Sequence, residues 1–170
     1  MSLYTQWINL IKEKADETWL TDSQREVYEA ILSRWSSAPF VNLHGRAGAG
    51  KTFIARLLAK AHGYVYTWDL RQAPQGAKQV IVDNAEYSRL LRPLARSLRL
   101  GRVLLITNVP VEDTMPKVRL ELNTRDVNQF CAVLSERCGI SFVHTIPQGE
   151  DLAQILRQEV VARGEAHVTE

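Results

Sequence analysis

Apolar and polar positions alternate between two periods along this chain. Leu3, Trp7, Leu10 and Ile11 recur at helical spacing, which predicts an amphipathic helix over 3–15. A second helix is expected from Thr21 or Asp22. Thr21 and Gln24 form a T-x-x-Q capping pattern, and Val27, Ile31, Leu32 and Trp35 supply the apolar stripe. Ser36, Ser37, Ala38 and Pro39 end it, and the run Phe40-Val41-Asn42-Leu43 predicts a strand. Past a glycine-rich turn, Phe53, Ile54, Leu57, Leu58 and Ala61 form one helical face, with Gly63 as its stop. Residues 64–68 read as a second strand. The connector at 71–78, with Pro74 and Gly76, is short for a parallel crossover, so either that connection is reduced or the strand ends lie elsewhere.

Two further apolar runs, Val80-Ile81-Val82 and Val103-Leu104-Leu105-Ile106, suit strands covered on both faces. Between them a helix is predicted over 86–100, with Leu90, Leu91, Leu94 and Leu98 on one side and Pro93 kinking or restarting it. Val118, Leu120 and Leu122 alternate with charged residues, as on an edge strand. Helices at 124–138 and 150–163 follow; the second carries Leu152, Ile155, Leu156 and Val160. Strands alternating with helices predict an α/β fold with a mainly parallel sheet of about five strands.

Composition adds limits. A chain of 170 residues is expected to form one domain. Its expected parts are N-terminal helices over 1–38, packed on an α/β core over 39–123, and a helical extension over 124–170. The net charge of +2 gives no global argument for nucleic acid, so a basic site must be local. Cys131 and Cys138 lack C-x-x-C spacing and read as two reduced thiols on a helix. With no leader-like segment and no long apolar run, a cytoplasmic protein is expected, with no membrane partner.

The chemistry centres on GRAGAGKT, Gly45 to Thr52, which fits G-x-x-x-x-G-K-[ST] in a strand–loop–helix context. The backbone of Gly45, Arg46, Ala47, Gly48, Ala49, Gly50, Lys51, Thr52 and Phe53 would cradle a di- or triphosphate, and the following helix presents its positive end to the same charge. Lys51 would reach the β- and γ-phosphates and the Thr52 hydroxyl would ligate Mg²⁺. About thirty residues further on, Asp83 closes an apolar run. A carboxylate at the C-terminal end of such a strand lies where ligands bind in open α/β sheets, and it can hold Mg²⁺ through water.

These motifs resemble those of the additional-strand P-loop ATPases, which include AAA+ proteins and helicases. The resemblance implies a three-layer P-loop NTPase fold with Asp83 as the Walker B aspartate, ATP and Mg²⁺ as cofactors, and a C-terminal helical lid that is cut short here. In superfamily-1 helicases a glutamine upstream of the P-loop contacts adenine, and Gln24 in LTDSQREVYEAI is the matching residue. Gln24 therefore either reads adenine or caps its helix. The resemblance further implies a glutamate after the aspartate to polarise water. Asn84 stands there, and an amide orients water without taking its proton. Glu86 is a substitute base or an exposed residue starting the next helix. Asn108, with Thr107 behind it, matches a sensor residue at the end of its strand.

Arg89, Arg92, Arg96 and Arg99 would share one stripe of the 86–100 helix at about 100° per residue. Such a stripe suits nucleic-acid phosphates, an acidic protein partner, or solvent. No arginine finger is evident at 109–116. The readings are an AAA+-like ATP-dependent switch with low unaided ATPase activity and a protein partner or homo-oligomer, acting in a nucleic-acid transaction such as DNA binding; a small-molecule kinase; and an assembly module with a structural nucleotide.

Overall fold

The computed structural model describes residues 1–86, 88–143 and 151–164. The first residue of the helix predicted over 150–163, and residue 87 within the helix predicted over 86–100, lie outside them. The chain divides into two compact units, one built from Gln24–Glu121 and the other from Met1–Ser23 with the segment from Leu122 onward.

The larger unit holds a five-stranded parallel sheet. Its strands are β1 (Phe40–His44), β2 (Val65–Thr67), β3 (Gln79–Val82), β4 (Arg102–Thr107) and β5 (Lys117–Arg119), in the spatial order β2-β3-β4-β1-β5. Every paired neighbour runs parallel. The strand leading into the glycine-rich loop is thus separated from the strand leading into Asp83 by β4. Central strands here are continuous apolar runs because both sheet faces are buried: Val80, Val82, Val103 and Leu105 on one side, Val41, Leu43, Ile81, Leu104 and Ile106 on the other. The first set packs with Ala95, Leu91 and Leu94 of the helix after β3. The short edge strand β5 alternates, with Val118 buried between exposed Lys117 and Arg119.

Helix α2 (Asp22–Ser37) precedes β1, and α3 (Lys51–His62) links β1 to β2. Trp35 of α2 meets Tyr64 edge-on, with centroids 5.1 Å apart. The β2–β3 connection is reduced, as its length predicts. In place of a crossover helix it has one 3₁₀ turn, Leu70–Gln72, with Leu70 and Ala73 buried against the sheet.

The helix predicted over 86–100 is much shorter. α4 spans Leu91–Ser97. Pro93 falls in its first turn, where an N–H has no intrahelical partner, so the proline starts the helix without kinking it. Arg99 then turns left-handed at φ 54. Arg99 N–H donates to Arg96 O and Leu100 N–H to Ala95 O, the Schellman pattern that ends a helix. The single four-arginine stripe is therefore not built: Arg89 precedes the helix and Arg99 follows it.

The smaller unit is helical. In α1 (Leu3–Lys14), Ser2 caps the start and Trp7 and Ile11 are buried. It packs on α5 (Thr124–Cys138) and α6 (Leu152–Ala162). Asn123 and Asp126 form a capping box at the start of α5. Asp126 also accepts from Ser23 N–H and Oγ, and Gln129 Oε1 accepts from Asp22 N–H, so within this unit side chains of α5 satisfy the N–H groups of Asp22 and Ser23. Cys131 and Cys138 are free thiols on α5, and burial pushes Cys131 up to about 11. Among the described residues, no helix is long and apolar enough to cross a membrane.

Candidate nucleotide site

The loop between β1 and α3 needs glycine at two places for different reasons. A Cβ on Gly45 would lie 2.3 Å from Leu120 O, so only glycine lets the loop pass the exit of β5. Gly50, at φ 91, turns the chain into α3. No side chain caps that helix start. Its orphan N–H groups and the helix dipole therefore face the loop as an anion site.

Lys51 is buried, and its ammonium directs each of its three donors to an acceptor. Nζ donates to Gly45 O at 2.6 Å, Arg46 O at 2.7 Å and Asn108 Oδ1 at 3.1 Å. Burial lowers its pKa from the ordinary lysine value, and the Asp83 carboxylate opposes that shift. His44, at the end of β1, is also lowered, first by burial and then by Arg119, Lys117 and Lys51. The cations around His44, Lys51 among them, gather positive charge at this loop end, which suits phosphate.

Asp83 is buried just past β3, and both its oxygens are held. Oδ2 accepts from the Tyr66 hydroxyl at 2.5 Å and Oδ1 from Asn84 N–H at 2.8 Å. Burial and the carboxylate raise the Tyr66 pKa above the ordinary phenol range, so this hydroxyl keeps its proton and donates. Arg56 lies over the Tyr66 ring, 4.9 Å from its centroid.

Asn84 occupies a bulge. The register Val82↔Leu105 would give Asn84 N–H to Ile106 O, yet Ala85 N–H makes that bond at 2.8 Å. Asn84 is the extra residue, at φ 51 with an exposed side chain. Asparagine tolerates this left-handed conformation better than glutamate does. The backbone at Asn84 therefore disfavours the glutamate that the resemblance implies there. Glu86 is exposed after the bulge.

Asn108 and Thr107 face different surroundings. Thr107 Oγ1 accepts from Asn42 Nδ2 at 2.9 Å and donates to Val109 O at 2.6 Å, so its hydroxyl is spent inside the fold. Asn42 is fully buried in mid-β1. Its Nδ2 also donates to Leu105 O and its Oδ1 accepts from Val111 N–H. One amide thus ties β1 to β4 and to the loop that carries Asn108. Asn108 itself reaches Lys51, as the β4 position between β1 and β3 allows.

Gln24, fully buried on the first turn of α2, directs Nε2 to Ala49 O of the loop at 3.5 Å. Thr52, on the first turn of α3, is exposed. Arg92 pairs with Asp113 through Nε at 2.9 Å and Nη2 at 3.0 Å, and lies over the Phe40 ring. Arg89, Arg96 and Arg99 are exposed.

The residues present fit a magnesium ion. Asp83 keeps a lone pair on each oxygen after its two hydrogen bonds, and Thr52 offers a second hard oxygen. Among the described residues, no group of three or more His, Cys, Asp and Glu could hold a metal. A metal would therefore share its coordination with phosphate oxygens and water, as Mg²⁺ commonly does.

Sequence reasoning missed Tyr66 and Asn42. Asn42 had a signal, a lone amide inside an apolar strand. Tyr66 had none, because only the register of β2 on β3 brings it to Asp83.

No protein-family model and no curated protein matches this chain. Among solved structures, it is similar to the replication initiator DnaA bound to AMPPCP and single-stranded DNA, with a TM-score of 0.57 at 13% identity. The likeness covers 84% of this chain and 61% of that one, so this chain spans about three-fifths of the DnaA chain's length. At that identity the likeness concerns the fold, which is α/β and P-loop-NTPase-like.

Proposed function

We propose that this protein is an AAA+-like ATP-binding switch with weak, partner-stimulated hydrolysis. The observation that carries the reading is the contact of Lys51 Nζ with Asn108 Oδ1, which joins the P-loop lysine to the polar end of the adjacent strand. A sensor amide belongs there, between the phosphate loop and the Walker-type aspartate. The DnaA structure supports the same direction, because its nucleotide is an ATP analogue.

In this reading the loop amides and Lys51 bind the phosphates. Gln24, buried beside the loop crown, is the candidate to read the base once its amide turns from Ala49 O. Thr52 and Asp83 hold Mg²⁺, which neutralises charge developing on the transferred phosphoryl group. Asn108 orients the attacking water. Asn84 supplies no base, Glu86 is the remaining candidate, and α5 and α6 stand as a reduced lid. Unaided turnover is therefore expected below the common range of about 1–10³ s⁻¹.

The test is thermal melting with Mg-ATP. At 100 times Kd the stabilisation is about 2.7 kcal/mol. For a chain of this size that raises Tm by roughly 5–10 °C. Lys51→Ala should remove most of the shift. Absence of a shift with any nucleotide at millimolar concentration would refute the reading. ADP release without an acceptor separates a switch from a kinase, and hydrolysis at tens per second by the protein alone would contradict the weak-ATPase part.

A further inference from the structure

The Walker-type carboxylate is held from a second strand. β2 pairs with β3 so that Tyr66 stands opposite Ile81. Ile81 and Asp83 lie two apart along the chain, and Asp83 N–H continues the ladder to Thr67 O, so Tyr66 and Asp83 are diagonal neighbours across the parallel pair. The tyrosine spans that gap and its hydroxyl ends 2.5 Å from Asp83 Oδ2. Its ring is fixed before any ligand arrives: the Arg56 guanidinium lies over one face, and Trp68 meets it edge-on with centroids 5.6 Å apart. Asn84 N–H holds the other oxygen from the bulge. The carboxylate plane is thus set by one backbone donor and one side-chain donor, and these two bonds leave a second lone pair on each oxygen unused.

We propose that Tyr66 is a positioning residue for magnesium: by donating to Asp83 Oδ2 it fixes the direction in which the carboxylate meets the ion's hydration shell. This rests on the nucleotide reading of the site. Hydrogen-bond partners of metal-binding groups commonly govern metal affinity without touching the metal, and losing one costs about 10–100-fold. The rival effect is competition, in which the hydroxyl withdraws charge from the carboxylate and its loss tightens the metal. The geometry favours positioning, because the bond leaves the second lone pair of Oδ2 free while preventing rotation of the carboxylate.

The experiment uses the full chain and a fluorescent ATP analogue, titrated with Mg²⁺ and, separately, in EDTA. Tyr66→Phe keeps the ring, its stacking with Arg56 and its contact with Trp68, and removes only the donor. Its Mg²⁺ midpoint should rise about tenfold. Its nucleotide affinity in EDTA should stay within about twofold, a split that a loss of packing would not produce. In an Asp83→Asn background the same change should add nothing, since residues acting through one partner are not additive. An unchanged or lower midpoint in Tyr66→Phe overturns the proposal, as does a shift that persists in the Asp83→Asn background. If the wild type binds the analogue with no response to Mg²⁺, the nucleotide reading stands and this proposal falls. If the wild type binds no nucleotide at all, both fall.

Discussion

Asn84 sits where a glutamate would have to adopt φ 51 with its side chain exposed. Asn84→Glu is therefore expected to cost about 1 kcal/mol from left-handed strain. For this chain length that lowers Tm by roughly 2–4 °C. It should leave ATP turnover unchanged, because the new carboxylate starts from a bulge; a faster enzyme would show that the bulge straightens. The spacing after Asp83 could show that the glutamate was missing but not why, since a one-residue bulge leaves no mark in a motif. Lys51, Thr52 and Asp83 were legible because their chemistry lies within contiguous, spaced patterns. Tyr66 was not, because a strand register brings it in. His44 adds a pH dependence. Its pKa in the fold is below its ordinary value near 6.5, first from burial and then from Arg119, Lys117 and Lys51. The fold favours neutral imidazole, so this contribution is present above the unfolded value and is lost as pH falls through about 6.5 toward the lower folded value. Melting curves of wild type and His44→Gln between pH 8 and 5 should diverge on the acid side, with the variant losing less.

Strands were the most legible elements, because a run such as Val103–Ile106 is apolar throughout only when both faces are covered. α4 was the least legible. Leucines and arginines keep helical spacing on both sides of Pro93, yet the proline belongs to a first turn and Arg99 closes the last one. A period cannot place such ends; hydrogen bonds can. Between elements, Asn42 carries three hydrogen bonds from one buried amide. Asn42→Leu would leave Val111 N–H without this acceptor and Thr107 without this donor inside the sheet. The expected cost is about 2–3 kcal/mol for buried groups stripped of partners. A melting temperature lower by roughly 5–10 °C would match that cost, and a loss under about 2 °C would show the network to be dispensable. With the β4 exit loosened, Asn108 should also lose its place beside Lys51, so ATP turnover should fall further than ATP affinity.

At the scale of the whole chain, a net charge of +2 does not predict a nucleic-acid partner, and any such surface has to be assembled locally. The fold places the four arginines differently from one helical stripe. Arg92 is committed to Asp113, whose side chain is only 13% exposed, so removing that arginine takes a two-pronged guanidinium contact from a partly buried carboxylate. Arg89, Arg96 and Arg99 are exposed around the two ends of α4. If each of these three neutralises one phosphate of a single strand, log K against log salt should have a slope of about −2, from roughly −0.7 per contact. Replacing Arg96 and Arg99 with alanine should make the slope shallower by about 1.4 and leave ATP binding intact. Arg92→Ala should do the reverse, lowering Tm without changing the slope. Fluorescence anisotropy with labelled DNA and RNA at several salt concentrations measures both. A slope that loses a full contact in Arg92→Ala would mean that Asp113 yields its arginine to phosphate. Absence of binding to either nucleic acid at low salt would assign the exposed arginines to a protein partner or to solvent, because three guanidinium groups facing a polyanion bind most strongly where counterions are most dilute.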